Sequence, residues 1–199
     1  MIDTLIFDFG GVLYDIDYFA ATRAFANLSL NPYKLLQLDR AGIFNLPSEF
    51  EKGNAEEDDF RNYLRKEYEI IASDEELDKA WNAMLLGLKD DAVSFVNSIN
   101  NSYKTALLSN TNSIHYRKFF PETEELMSLF DIKIFSYMTG MRKPDVEIYD
   151  YTLKKIGSDA ENCIFIDDSI INLEGAKAIG MRTFLFEPSH NLSDILHSI

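Results

Sequence analysis

The chain has 199 residues, 46% hydrophobic and 26% charged, enough apolar material for one large domain or for a core with a small accessory domain. Its 33 acidic side chains outnumber 19 basic ones, and the net charge of −14 argues against a nucleic-acid partner and gives no general steering of anions. No run approaches the length of a membrane span and no leader pattern opens the chain, so a cytoplasmic location is expected; the one cysteine, Cys163, reads as a buried, inert thiol.

The first predicted strand is "TLIFDF" (4–9). Residues 16–89 then carry helical patterns at 17–28, 32–40, 56–70 and 74–87 and no strand run. "SDEEL" (73–77) has the spacing of a helix start, with Ser73 three residues before Glu76. The aromatic group Tyr14, Tyr18 and Phe19 is expected to pack within this helical segment. A helix at "DDAVSFVNSI" leads to the strands "YKTALLSN" (103–110) and "DIKIFS" (131–136), and His115 between them is expected on a helix surface. "VEIYDYTLKKIG" is a helix closed by Gly157, "CIFIDD" (163–168) a strand, "NLEGAKAIG" a helix and "RTFLFE" (182–187) the last strand. Continuous apolar strands alternating with helices predict an α/β doubly wound parallel sheet with a helical insert after the first strand. The expected division is 1–15 with 90–199 as the core and 16–89 as the insert.

In such a sheet ligands gather at the carboxyl ends of the strands. The polar residues there are Asp8, Ser109 with Asn110, and Asp167 with Asp168. Two carboxylates ~4 Å apart repel by about 4 kcal/mol at an effective dielectric near 20. A cation relieves that, and an oxygen-only donor set favours Mg²⁺, which leaves coordination sites for a phosphate. Gly10 and Gly11 leave backbone N–H groups open to an anion, Lys143 before a helix start adds a second anion-favouring point, and Ser109 offers a hydroxyl.

With these motifs in order, the chain resembles the haloacid dehalogenase superfamily, which has a Rossmann-like core. The motifs are "IFDFGGVL", "LLSNTN", "GMRKPD" and "FIDDS". The likeness points to the helical-cap branch and to bacterial sugar-phosphate phosphatases of the α-glucose-1-phosphate type. The resemblance implies a Mg²⁺-dependent phosphatase acting on a small phosphate ester, with Asp8 as nucleophile. Metal ligands would be Asp8, the Gly10 carbonyl, Asp168 and Asp167, the last directly or through water. Gly10, Gly11, Ser109, Asn110 and Lys143 would hold the phosphoryl group. It further implies a chain without nucleic-acid or membrane partners, monomeric or weakly dimeric, in which the segment "FEKGN" (50–54) faces the substrate. One departure stands out. The family's phosphatases mostly carry an aspartate as general acid where this chain has Gly10, leaving the cap, Asp15, Asp17 or water to supply the proton. A silent phospholigand-binding protein and a metal-independent dehalogenase are the alternatives.

Overall fold

The computed structural model describes residues 1–38 and 48–198. In chain order the elements are β1 (Thr4–Phe7), β2 (Tyr14–Ile16), α1 (Tyr18–Leu28), α2 (Pro32–Leu36), α3 (Ser48–Glu51), α4 (Glu57–Tyr68), α5 (Asp74–Asn82) and β3 (Leu85–Leu88). There follow α6 (Ala92–Ile99), β4 (Lys104–Ser109), α7 (Ser113–Phe119), α8 (Glu124–Ser128), β5 (Ile132–Phe135), α9 (Val146–Ile156), β6 (Cys163–Asp167), α10 (Ile170–Ala178) and β7 (Arg182–Leu185). The end of the helix predicted over 32–40 lies outside the described residues.

The five strands β5-β4-β1-β6-β7 form one parallel sheet, with β1 at its centre. Strand alternation sends its side chains both ways. Leu5 and Phe7 of β1, with Leu107 and Ile166, enter a core closed by Phe95 and Val96 of α6 and Leu126 of α8. Ile6, with Ala106, Leu108 and Phe165, enters a second core closed by Ile148 and Tyr149 of α9 and Leu173 of α10. Both faces are covered, so every central strand reads as a continuous apolar run. Cys163 is buried, as expected.

Helices α1 to α5 gather around a third cluster that includes Phe25, Leu35, Phe60, Leu64 and Trp81. The capping box of α5 is present: Ser73 Oγ accepts from Glu76 N at 3.3 Å and Glu76 Oε2 from Ser73 N at 2.8 Å. Two expectations fail here. The helix predicted over 74–87 ends at Asn82, and Leu85–Leu88 pairs antiparallel with Tyr14–Ile16 in a separate two-stranded ribbon. The run "LLGL" has helix-favouring leucines, and cross-strand pairing overrides that propensity. The expected aromatic group also divides. Tyr14 packs in the main core against Phe9 and its hydroxyl donates to Glu122, Tyr18 flanks the helical cluster, and Phe19 is exposed. Among the described residues no helix is long and apolar enough to cross a membrane.

Candidate active site

Asp8 leaves the end of β1 with its backbone N–H bonded to Ile166 O at 2.8 Å, which holds it beside the end of β6. Its Oδ1 accepts from Phe9 N at 2.7 Å and lies 2.7 Å from Lys143 Nζ. The same ammonium donates to Asp167 Oδ2 at 2.7 Å. Lys143 is fully buried, so its charge is balanced by these carboxylates, with the Phe165 ring centroid 5.2 Å from its Nζ. Asp167, equally buried, accepts from Ser169 N at 2.7 Å, and Asn172 Nδ2 lies 3.1 Å from both of its oxygens. Asn172 was not among the site residues expected from sequence. Its signal is its position two residues into α10, where a side-chain amide can turn back to the end of β6.

Asn110 has a structural task. Its Oδ1 accepts from Lys143 N and its Nδ2 donates to Lys143 O, both at 2.9 Å, so the end of β4 clamps the loop that carries the lysine. Oxygens of Asp8, Asp167 and Asp168 lie within 4.8 Å of one another. Three carboxylates thus face one ammonium. Burial pushes the Asp8 carboxyl up to about 8, with Lys143 opposing and Asp167 and Asp168 adding to the rise. Burial also works against the Lys143 charge, but the facing carboxylates of Asp167 and Asp8 outweigh it and hold its pKa above the ordinary value. An oxygen-only cluster short of positive charge fits a hard divalent cation such as Mg²⁺.

Gly11 has φ of +82°, and a Cβ there would stand 2.8 Å from Asp168 Cγ. The bare backbone lets Asp168 close on the turn after β1. A Cβ on Gly10 would meet Ile16 Cδ1 at 2.3 Å, so a hydrophobic side chain fills the space beside that residue.

Asp8, Gly10, Asn110, Lys143 and Asp168 line one cavity of about 350 Å³. Ser109 and Asp167 are buried and not on its lining, and the expectation for Gly11 fails: its N–H donates to Tyr14 O at 2.8 Å rather than standing open to an anion, and it does not line the cavity. Neither Asp15 nor Asp17 lines it: Asp15 pairs with Lys89, while Asp17 caps α1 and pairs with Arg23. Glu51 and Lys52 of the "FEKGN" segment do line it.

His115 overturns its expectation. It is buried on the cavity lining and stacks on Trp81 with centroids 4.5 Å apart at 21°. The docking of α5 against α7 covers it, a contact between distant segments that local sequence does not show. Burial pulls its ring down to about 4, against the raising effect of the Trp81 carbonyl. The folded ring resists a proton that the unfolded one takes near the ordinary value of 6.5, so stability is lost as pH falls from about 6.5 to about 4. The loss is on the order of 3 kcal/mol. Melting temperatures across that window should fall less steeply in a His115→Gln variant, and parallel profiles would contradict a neutral buried ring.

A family model described as haloacid dehalogenase-like hydrolase matches residues 2–180. A D-ribitol-5-phosphate phosphatase of Bacteroides thetaiotaomicron is 31% identical over 191 residues, covering 92% of this chain and 91% of its own. A sesquiterpene phosphatase of Aspergillus oryzae is 30% identical, covering 88% of this chain and 85% of its own. Among solved structures, a haloacid dehalogenase family enzyme of B. thetaiotaomicron in complex with magnesium and inorganic phosphate superposes with a TM-score of 0.82 at 29% identity, over 98% of this chain and 99% of that one.

Proposed function

The chain belongs to the haloacid dehalogenase-like hydrolase family, and from that premise we propose that it is a Mg²⁺-dependent phosphatase of a small phosphorylated sugar or polyol, working through an aspartyl-phosphate on Asp8. The observation that carries this reading is the fully buried Lys143 ammonium set 2.7 Å from both Asp8 and Asp167 at the head of a cavity of about 350 Å³.

An Asp8 carboxylate oxygen attacks phosphorus and the ester oxygen leaves with the substrate alcohol. Water then attacks the aspartyl-phosphate and releases inorganic phosphate and free Asp8. Lys143 faces the phosphoryl oxygens and offsets their charge. Asn110 fixes the lysine's backbone, and Asn172 with Ser169 N fixes Asp167. The Ser109 hydroxyl and the backbone of Gly10 complete the phosphoryl cradle, while the Gly11 N–H stays with Tyr14 O at 2.8 Å. Mg²⁺, held by Asp8, the Gly10 carbonyl and Asp168 with Asp167 direct or through water, would neutralise the carboxylates and the transferring group. Most of the catalysis is then positioning and charge stabilisation. Helices α1 to α5 act as a cap that selects the substrate. With Gly10 offering no acid and Ile16 packed beside it, the leaving alcohol takes its proton from water or from the cap.

Purified protein is expected to release phosphate from an aryl phosphate in Mg²⁺ and to stop in chelator. Mg²⁺ should also raise the melting temperature by mass action. Tight binding of phosphate esters without turnover would favour the silent binding protein, and unchanged turnover in chelator would contradict the metal site.

A further inference from the structure

The cavity in front of Asp8 holds a charged pair that phosphoryl transfer does not use. Glu51, in the cap helix α3, and Arg142, next to Lys143, both line it. Arg142 Nη2 lies 3.0 Å from Glu51 Oε2, with the two side chains 16% and 10% exposed. The pair is incomplete. The Arg142 Nη2 contact has ion-pair distance without hydrogen-bond alignment, so among the described residues Glu51 Oε2 and Arg142 Nε are buried with no hydrogen-bond partner. Burial lifts the Glu51 carboxyl to about 7 even though Arg142 and Lys143 pull it down. A second ion pair, Lys52 with Asp145 at 3.1 Å, ties the residue after Glu51 to the loop after Lys143 and holds the first pair in register.

A buried ion pair repays its desolvation only when its remaining donors and acceptors are filled. The occupant of this subsite must therefore accept from a guanidinium N–H and donate to a carboxylate. A second phosphate or carboxylate would accept from Arg142 but meet Glu51 as a like charge. A hydrocarbon chain would leave both groups unfilled. A hydroxyl does both, since its oxygen accepts and its O–H donates. Neighbouring hydroxyls on one carbon chain can serve the two groups together. Apolar residues on the same lining suit the carbon skeleton of such a molecule: Trp81, stacked on His115, lines the cavity with Met84 and Ile16.

We propose that Glu51 and Arg142 form a hydroxyl-recognition subsite that selects polyhydroxylated phosphate esters over alkyl phosphates of equal length, a reading that rests on the phosphatase activity proposed above. The subsite joins one residue of the cap to one of the core, so substrate hydroxyls bridge the two.

The test compares kcat/KM for pentitol 5-phosphates and hexose 6-phosphates with that for n-alkyl phosphates of matched carbon number. Both classes leave as primary alcohols, so the chemistry is similar and the hydroxyls are the main difference. The wild type is expected to favour the best polyhydroxylated ester by at least about tenfold, and Glu51→Gln and Arg142→Met should each shrink that preference at least about tenfold or abolish it. The alkyl phosphate rate in each variant reports on folding and chemistry. The double variant Glu51→Gln/Arg142→Met removes both charges at once and avoids stranding one of them. Equal wild-type rates on the two classes, or a preference that survives in the double variant, would overturn the subsite and leave the phosphatase reading standing. A wild type that cleaves no phosphate ester at all, aryl phosphate in Mg²⁺ included, would overturn both.

Discussion

Asp8→Asn is expected to lower phosphate release by at least about 10³-fold while leaving the protein folded. The amide keeps the shape of the side chain, and its oxygen can still accept from Phe9 N, as Asp8 Oδ1 does at 2.7 Å. It lacks the anionic oxygen that would attack phosphorus. The fold should tolerate the change because Lys143 keeps Asp167 as a partner at 2.7 Å. The exchange also removes one of three carboxylates that crowd one ammonium, in a place where burial pushes the Asp8 acid up to about 8. Phosphate release and the melting temperature in metal-free buffer check the two halves of the prediction. Release should collapse, and the melting temperature should not fall.

Lys143→Met should act on stability as well as on rate. Methionine has similar length but no charge, and it would leave Asp8 and Asp167 facing each other across an apolar side chain. Lys143 and Asp167 are both fully buried, so water cannot take the ammonium's place. Breaking a buried pair by removing one partner costs about 3–5 kcal/mol. Asn172 and Ser169 N continue to hold Asp167, which keeps the expected loss within that range. The denaturant midpoint of the metal-free variant is the readout, and a loss below about 1 kcal/mol would contradict the ammonium's role as counter-charge.

Much of this architecture was legible in the sequence because parallel strands buried on both faces read as unbroken apolar runs. "TLIF", "TALLS" and "CIFID" each lie in the central part of the sheet. The polar residues that end those runs were legible for the same reason. Asp8, Asn110 and Asp168 do line one cavity, while Ser109 and Asp167 are buried and not on its lining. Features that depend on docking between distant segments were not legible. "LLGL" follows a helix and has helical propensity, and only its pairing with Tyr14–Ile16 makes it a strand. His115 sits in a polar, helix-starting stretch, and its burial comes from Trp81 arriving from another helix. Glu51 and Arg142 are ordinary charged residues in their own segments. Their pairing appears only when α3 packs against the loop before α9.

Asp8 is expected to carry the phosphoryl group during turnover. Acid quenching of the working enzyme with an ester labelled in its phosphoryl group, followed by peptide mapping, tests it most directly. In Mg²⁺ the wild type should show label on the N-terminal peptide at Asp8, and Asp8→Asn should show none. Label on any other residue, or rapid turnover with no label on the protein at any quench time, would contradict an aspartyl-phosphate on Asp8.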